Sequence, residues 1–167
     1  MEAGALFMTS STGQAVAWPD LAGRLGEDEH GQFHIMAVRV YFEDTDAGGV
    51  AYHASYIRWC ERGRSDFLRL LGTDARRMID GSDNHEPAAF VVRRMVCDFK
   101  RPARMDDVLE VRTRVKELGG ASVMLNQVVM LDGREVFEAD VLVVLVAVSG
   151  KPLRLTDTLR KAFGHSD

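Results

Sequence analysis

One stretch of this chain carries a sustained helical period, and a glycine sits in the middle of its apolar face. In YHASYIRWCERGRSDFLRLLG, residues 52–72, Tyr56, Cys60, Gly63, Phe67 and Leu70 recur at spacings of four, three, four and three. Ile57, Leu68 and Leu71 widen that stripe, while Arg58, Glu61, Arg62, Asp66 and Arg69 take polar positions and Gly72 suits a C-cap. Glycine inside a helix costs about 1 kcal/mol relative to alanine. Gly63 therefore predicts a close approach by another backbone, such as a sheet wrapped against the helix.

The segments around the helix read as strands. IMAVRVYF (35–42) precedes it, and AFVVRRMVCDF (89–99), DVLEVRTRV (107–115), SVMLNQVVML (122–131) and EVFEADVLVVLVAV (135–148) follow. Leu109, Val111, Thr113 and Val115 alternate with Glu110, Arg112 and Arg114, the pattern of a half-solvated antiparallel strand. Gly119-Gly120 and Asp132-Gly133 are hairpin signals. VLVVLVAV is apolar on both faces, which suggests the helix on one side and another subunit on the other. Residues 73–87 hold a second short helix, ARRMI, and a loop ending at Pro87. The order predicts an α+β domain, one long central helix against a curved antiparallel sheet.

At 167 residues the chain fits one domain with a sizeable core. Residues 1–34 are rich in glycine, serine, threonine and alanine and carry five acids against one base. They read as a flexible acidic extension with one weak turn near Trp18 to Leu25; residues 35–160 form the domain and 161–167 a tail. The net charge of −4 thus arises in the extension, and a neutral body gives no support for nucleic-acid binding. Cys60 and Cys97 lie in apolar patterns without a CxxC, as reduced thiols of a cytoplasmic protein would. No apolar run reaches the ~18 residues of a membrane span, and no basic residue precedes Arg24 as a signal peptide would require.

The chemistry concentrates in EDTDAGGVAYHASY, residues 43–56. A calcium loop starting at Asp44 would put Ser55 where a bidentate glutamate is needed. Gly48-Gly49 does not supply a dinucleotide fingerprint, and His53 has no second histidine within helical reach for zinc. What remains is Asp46 just before a helix start, where unpaired N–H groups and the positive dipole end could stabilise a carbonyl gaining negative charge. Asp46 could attack that carbonyl or deprotonate a water, with Gly48 and Gly49 shaping a tight turn. Taken singly, the plainer readings come first: Asp46 as a turn or N-cap residue, His53 as a partly buried, hydrogen-bonded histidine.

The run VRVYFEDTDAGGVAYHASYIRWCERGRSDFLRLLG, followed by AFVVRRMVCDFKRPARMDDVLEV, closely resembles the Tol–Pal-associated acyl-CoA thioesterases, a branch of the hotdog-fold 4-hydroxybenzoyl-CoA thioesterase family. The resemblance covers about residues 36–160. It implies a hotdog fold, a helix wrapped by five antiparallel strands, in homodimers often paired into tetramers. It implies Asp46 as catalytic carboxylate and His53 as a site position where a backbone N–H polarises the thioester carbonyl. Gly49, Val50 and Tyr52 are the expected substrate contacts, and no cofactor is implied beyond the coenzyme A of the substrate. Phe42 stands where relatives often have tyrosine, and LGGA at 118–121 lacks the basic residues that some relatives use for coenzyme A phosphates. Lys100, Arg101 and Arg104 are the candidates for that role here. The implied activity is hydrolysis of short-chain or aromatic acyl-CoA, with envelope or acyl carrier proteins as partners. The competing readings are a non-catalytic acyl-CoA-binding or scaffold protein of the envelope machinery and a hotdog hydratase or dehydratase.

Overall fold

The computed structural model describes residues 8–9, 15–16, 23–73, 75–81 and 86–164. Two short strands, β1 (Met8–Thr9) and β2 (Ala15–Val16), pair with each other. The main sheet is built from β3 (Arg24–Asp28), β4 (Gly31–Arg39), β5 (Ala88–Phe99), β6 (Val108–Leu118), β7 (Ser122–Leu131) and β8 (Arg134–Ala147). Its order is β3-β4-β6-β7-β8-β5, antiparallel throughout, so β5 and β3 form the two edges. Helix α1 (His53–Leu70) lies against one face; α2 (Ala75–Asp80) and α3 (Asp157–Ala162) are short.

The inward residues of the sheet alternate as the sequence predicts. Leu109, Val111 and Thr113 of β6 face the same core as Val123, Leu125, Gln127 and Val129 of β7. Phe137, Ala139, Val141 and Val143 of β8 complete that face, and Tyr56, Trp59 and Cys60 of α1 fill it from above. The Asp132-Gly133 hairpin forms as expected, both residues at positive φ (49° and 75°) in the conformation that suits such tight turns. Both cysteines are free, and burial pushes the Cys60 thiol up to about 12.

Gly63 is explained by packing, with one change of detail. A Cβ there would lie 3.1 Å from Thr113 Oγ1 and 3.2 Å from Val111 Cγ1, so what approaches the helix is the side chains of β6, not a backbone. Leucine at this position is expected to cost about 1–3 kcal/mol through overpacking, read as a lower urea midpoint.

The sheet has six strands where five were expected, because the extension expected through residue 34 is shorter. Residues 24–34 form most of a hairpin that the flat, polar pattern of this stretch conceals. Contacts from the body hold it. Arg114 of β6 reaches Asp28 at 2.6 Å and the Gly31 carbonyl at 3.0 Å, and stacks its guanidinium over Phe33. The strand expected at 35–42 accordingly starts at Gly31 and stops at Arg39. Tyr41 and Phe42 leave it, and Phe42 opens a short 3-10 turn, 82% exposed. Part of the expected tail also folds: Lys161 and Ala162 end α3, and Phe163 packs on Phe90. The turn expected near Trp18 falls largely outside the described residues.

Asp66 of α1 clamps the hairpin. Its Oδ2 lies 2.7 Å from Nε2 of the fully buried His34 and accepts the Gly23 N–H at 2.7 Å, while Oδ1 accepts from Arg69. Burial pushes the Asp66 carboxyl up, but hydrogen bonds from His34, Arg69 and Gly23 outweigh it and hold the group below its ordinary value. A depressed carboxyl adds stability that is present above the unfolded pKa, about 3.9, and lost as pH falls through the folded value. Unfolding followed against pH is expected to show that loss below about pH 4, and Asp66→Asn to remove it.

Candidate active site

The loop between the 3-10 turn (Phe42–Asp44) and α1 is closed by its own backbone. Thr45 bridges Ala51, the Asp46 N–H donates to the Val50 carbonyl at 2.9 Å, and the Tyr52 N–H donates to the Asp44 carbonyl at 2.7 Å. Gly49, at φ 74°, makes the reversal in the left-handed region that side chains avoid. Asp46 lies exposed in this loop, and its Oδ1 accepts the Gly48 N–H at 2.8 Å. Its other oxygen has no partner among the described residues.

Helix α1 begins at His53 without a side-chain cap. Tyr52, the N-cap, is extended and makes no capping bond; the Ser55 N–H turns back to the Tyr52 carbonyl. The N–H groups of His53 and Ala54 have no acceptor among the described residues. The Tyr52 ring packs on His53 at 4.3 Å between centroids, and Phe99 meets His53 edge-on at 6.2 Å. Asp46, Gly49, Val50, Tyr52 and His53 are thus gathered in one closed loop and the helix start that it feeds. The arrangement offers a carboxylate with one oxygen held and one open, next to a helix start whose amides and dipole favour negative charge.

A second loop supports the first. Ala103, fully buried, accepts the Ala51 N–H at 2.8 Å and donates its own N–H to the Tyr56 hydroxyl at 3.0 Å. Burial raises the Tyr56 pKa, so the hydroxyl stays protonated, and its ring stacks on Phe137 at 5.2 Å. Arg101 and Arg104 are exposed, two residues before and one after Ala103, whose backbone is bonded to the site loop. Lys100 is turned elsewhere. It donates to Glu135 and Glu138 at 2.5 and 2.6 Å, and those bonds hold its ammonium well above the usual lysine range.

Two contributors were missed in the sequence. Asp44 is the buried acid of EDTD: its Oδ2 accepts the Tyr41 N–H at 2.9 Å, and its carbonyl also takes the Ser55 hydroxyl at 3.1 Å. Three acids within four residues give no sign of which one points inward. Phe99 was read only as the end of a strand, although its place directly before KRPAR could have flagged it.

The thioesterase superfamily model matches residues 48–138. Over 110 residues the chain is 44% identical to the acyl-CoA thioester hydrolase YbgC of Escherichia coli O6:H1, covering 65% of this chain and 78% of that protein. Over 129 residues it is 37% identical to the acyl-CoA thioesterase YbgC of Haemophilus influenzae, covering 77% and 92% respectively. Among solved structures, a probable thioesterase from Bartonella henselae superposes with a TM-score of 0.71 at 40% identity, covering 74% of this chain and 99% of that one. No helix among the described residues is long and apolar enough to cross a membrane.

Proposed function

This chain belongs to the thioesterase superfamily and is a thioester hydrolase, and from that premise we propose that it cleaves short-chain or aromatic acyl-CoA to the free acid and coenzyme A. The observation that carries the reading is the pairing of a half-held carboxylate with an uncapped helix start in one closed loop. The thioester carbonyl oxygen sits at the His53 end of α1, where the amides take up the charge that develops as the carbonyl carbon becomes tetrahedral. Asp46 acts through its open oxygen. As a base it takes a proton from the attacking water; as a nucleophile it forms an acyl-aspartyl anhydride that water then opens. Either way the carbon–sulfur bond breaks and the thiolate leaves to be protonated, without a cofactor.

Gly49, Val50 and Tyr52 line the approach to the thioester, and Arg101 and Arg104 supply positive charge for the coenzyme A phosphates. Lys100 is left out of that role because two carboxylates already occupy it. The β5 edge, with Val91, Val92, Val96 and Phe99 partly exposed, is the surface proposed for the homodimer, which pairs further into a tetramer. We place the protein in the cytoplasm, with envelope or acyl carrier proteins as partners. Release of free thiol from a panel of acyl-CoAs of increasing length tests the reading. Binding without turnover across the panel would sink it in favour of an acyl-CoA-binding scaffold.

A further inference from the structure

The bonds inside the site loop make it a rigid unit without attaching it to the helix. The Asp46 N–H to Val50, the Gly48 N–H to Asp46 and the Thr45–Ala51 bridge all run between residues 45–51. What ties that unit to α1 is Asp44, the residue just before it. Its carbonyl accepts twice at the helix start, from the Tyr52 N–H at 2.7 Å and from the Ser55 hydroxyl at 3.1 Å.

The Asp44 side chain sets the direction of that carbonyl. Its Oδ2 accepts the Tyr41 N–H at 2.9 Å while the Asp44 N–H donates to the Tyr41 carbonyl at 3.0 Å, so two bonds fix the residue to Tyr41. Arg58 steadies the other partner. It donates to Ser55 Oγ at 3.0 Å, which leaves the hydroxyl hydrogen for Asp44. Its own contact with Asp44 Oδ1, at 3.5 Å, is open to water and weak. Asp44 and Ser55 are both buried, so a bond lost between them is not made good by solvent.

We infer that Asp44 is a positioning residue for the hydrolysis. It touches no reacting atom, but it sets where the open oxygen of Asp46 stands against the His53 end of α1. Only two residues of backbone separate the dock from the carboxylate, so little slack lies between them. A misplacement of about 1 Å at a reacting group costs about a hundredfold in rate. This role rests on Asp46 being the reacting carboxylate.

Steady-state kinetics of the full chain, with kcat expressed per mole of folded protein, tests it. Asp44→Ala is expected to lower kcat at least tenfold with KM within threefold of native; a merely structural role would reduce the folded fraction and leave that kcat unchanged. Asp44→Asn, whose side-chain oxygen still accepts the Tyr41 N–H, is expected to restore kcat to within threefold. Ser55→Ala removes only the buried hydroxyl. It is expected to lower kcat at least fivefold, and it decides the matter alone if Asp44→Ala does not fold. In an Asp46→Asn background neither alanine change should cost more than a further twofold, because each acts through Asp46. The proposal is overturned if Asp44→Ala, or Ser55→Ala in its place, leaves kcat within threefold of native. It is equally overturned if Asp44→Asn falls as far as Asp44→Ala, or if the loss recurs undiminished in the Asp46→Asn background. Near-native kcat in Asp46→Asn alone is a separate result, which would sink the reading of Asp46 and this role with it.

Discussion

Asp46→Asn is expected to lower kcat for acyl-CoA hydrolysis by at least about a hundredfold, with KM changed by less than about threefold. The substitution separates chemistry from folding. An asparagine side-chain oxygen still accepts the Gly48 N–H that Asp46 Oδ1 accepts now, so the turn and the Thr45–Ala51 closure are kept. What goes is the open, negatively charged oxygen, the only part that can take a proton from water or attack a carbonyl. The urea midpoint should therefore stay near the native value while turnover collapses. Asp46→Ala removes the turn bond as well and should show a loss of stability on top of the loss of rate. An asparagine variant that kept a third of native kcat would leave Asp46 as a turn residue and nothing more. Single turnover in heavy-oxygen water then divides the two roles, because only a nucleophilic Asp46 carries the label in its own carboxylate.

The fold was legible where one physical pattern dominates, and lost where tertiary contacts decide. The α1 stripe and the alternation of β6 each reflect one buried face, and Gly63 betrayed the tight seam between them. The β3–β4 hairpin has no such face along most of its length. It persists because Arg114 and Asp66 reach it from the body, contacts separated by dozens of residues in sequence. In the site, the glycines and the acid before a helix could be read from local turn chemistry. The choice of Asp44 as the buried acid could not, since it depends on the Tyr41 N–H and the Ser55 hydroxyl folding back on it. Lys100, Arg101 and Arg104 looked alike as a basic cluster. The folded chain separates them, because Glu135 and Glu138 of β8 take Lys100 while the two arginines stay exposed on either side of buried Ala103.

Phe137→Ala is expected to destabilise the protein by about 3–5 kcal/mol, the range for removing a fully buried aromatic ring. For a domain stable by about 5–15 kcal/mol this is a large fraction. Phe137 is completely buried in β8, and its ring lies 5.2 Å from Tyr56 and 5.0 Å from Phe99. Tyr56 in turn packs on Trp59 at 5.1 Å, so the cavity would open inside a connected aromatic cluster and not at its margin. The effect should reach the site by a short route. With its stacking partner gone, Tyr56 holds the Ala103 N–H less firmly, and Ala103 holds the Ala51 N–H that closes the loop carrying Asp46. At a temperature where Phe137→Ala is still folded, kcat should fall several-fold although the residue touches no reacting atom. Phe137→Leu keeps most of the volume and should cost less than about 1.5 kcal/mol, with kcat near native. Urea unfolding and initial rates on the same preparations check both readouts. A stability loss without a change in kcat would mean that the aromatic cluster supports the sheet alone, and that the loop takes its shape from Thr45, Asp44 and Gly49 without help from below.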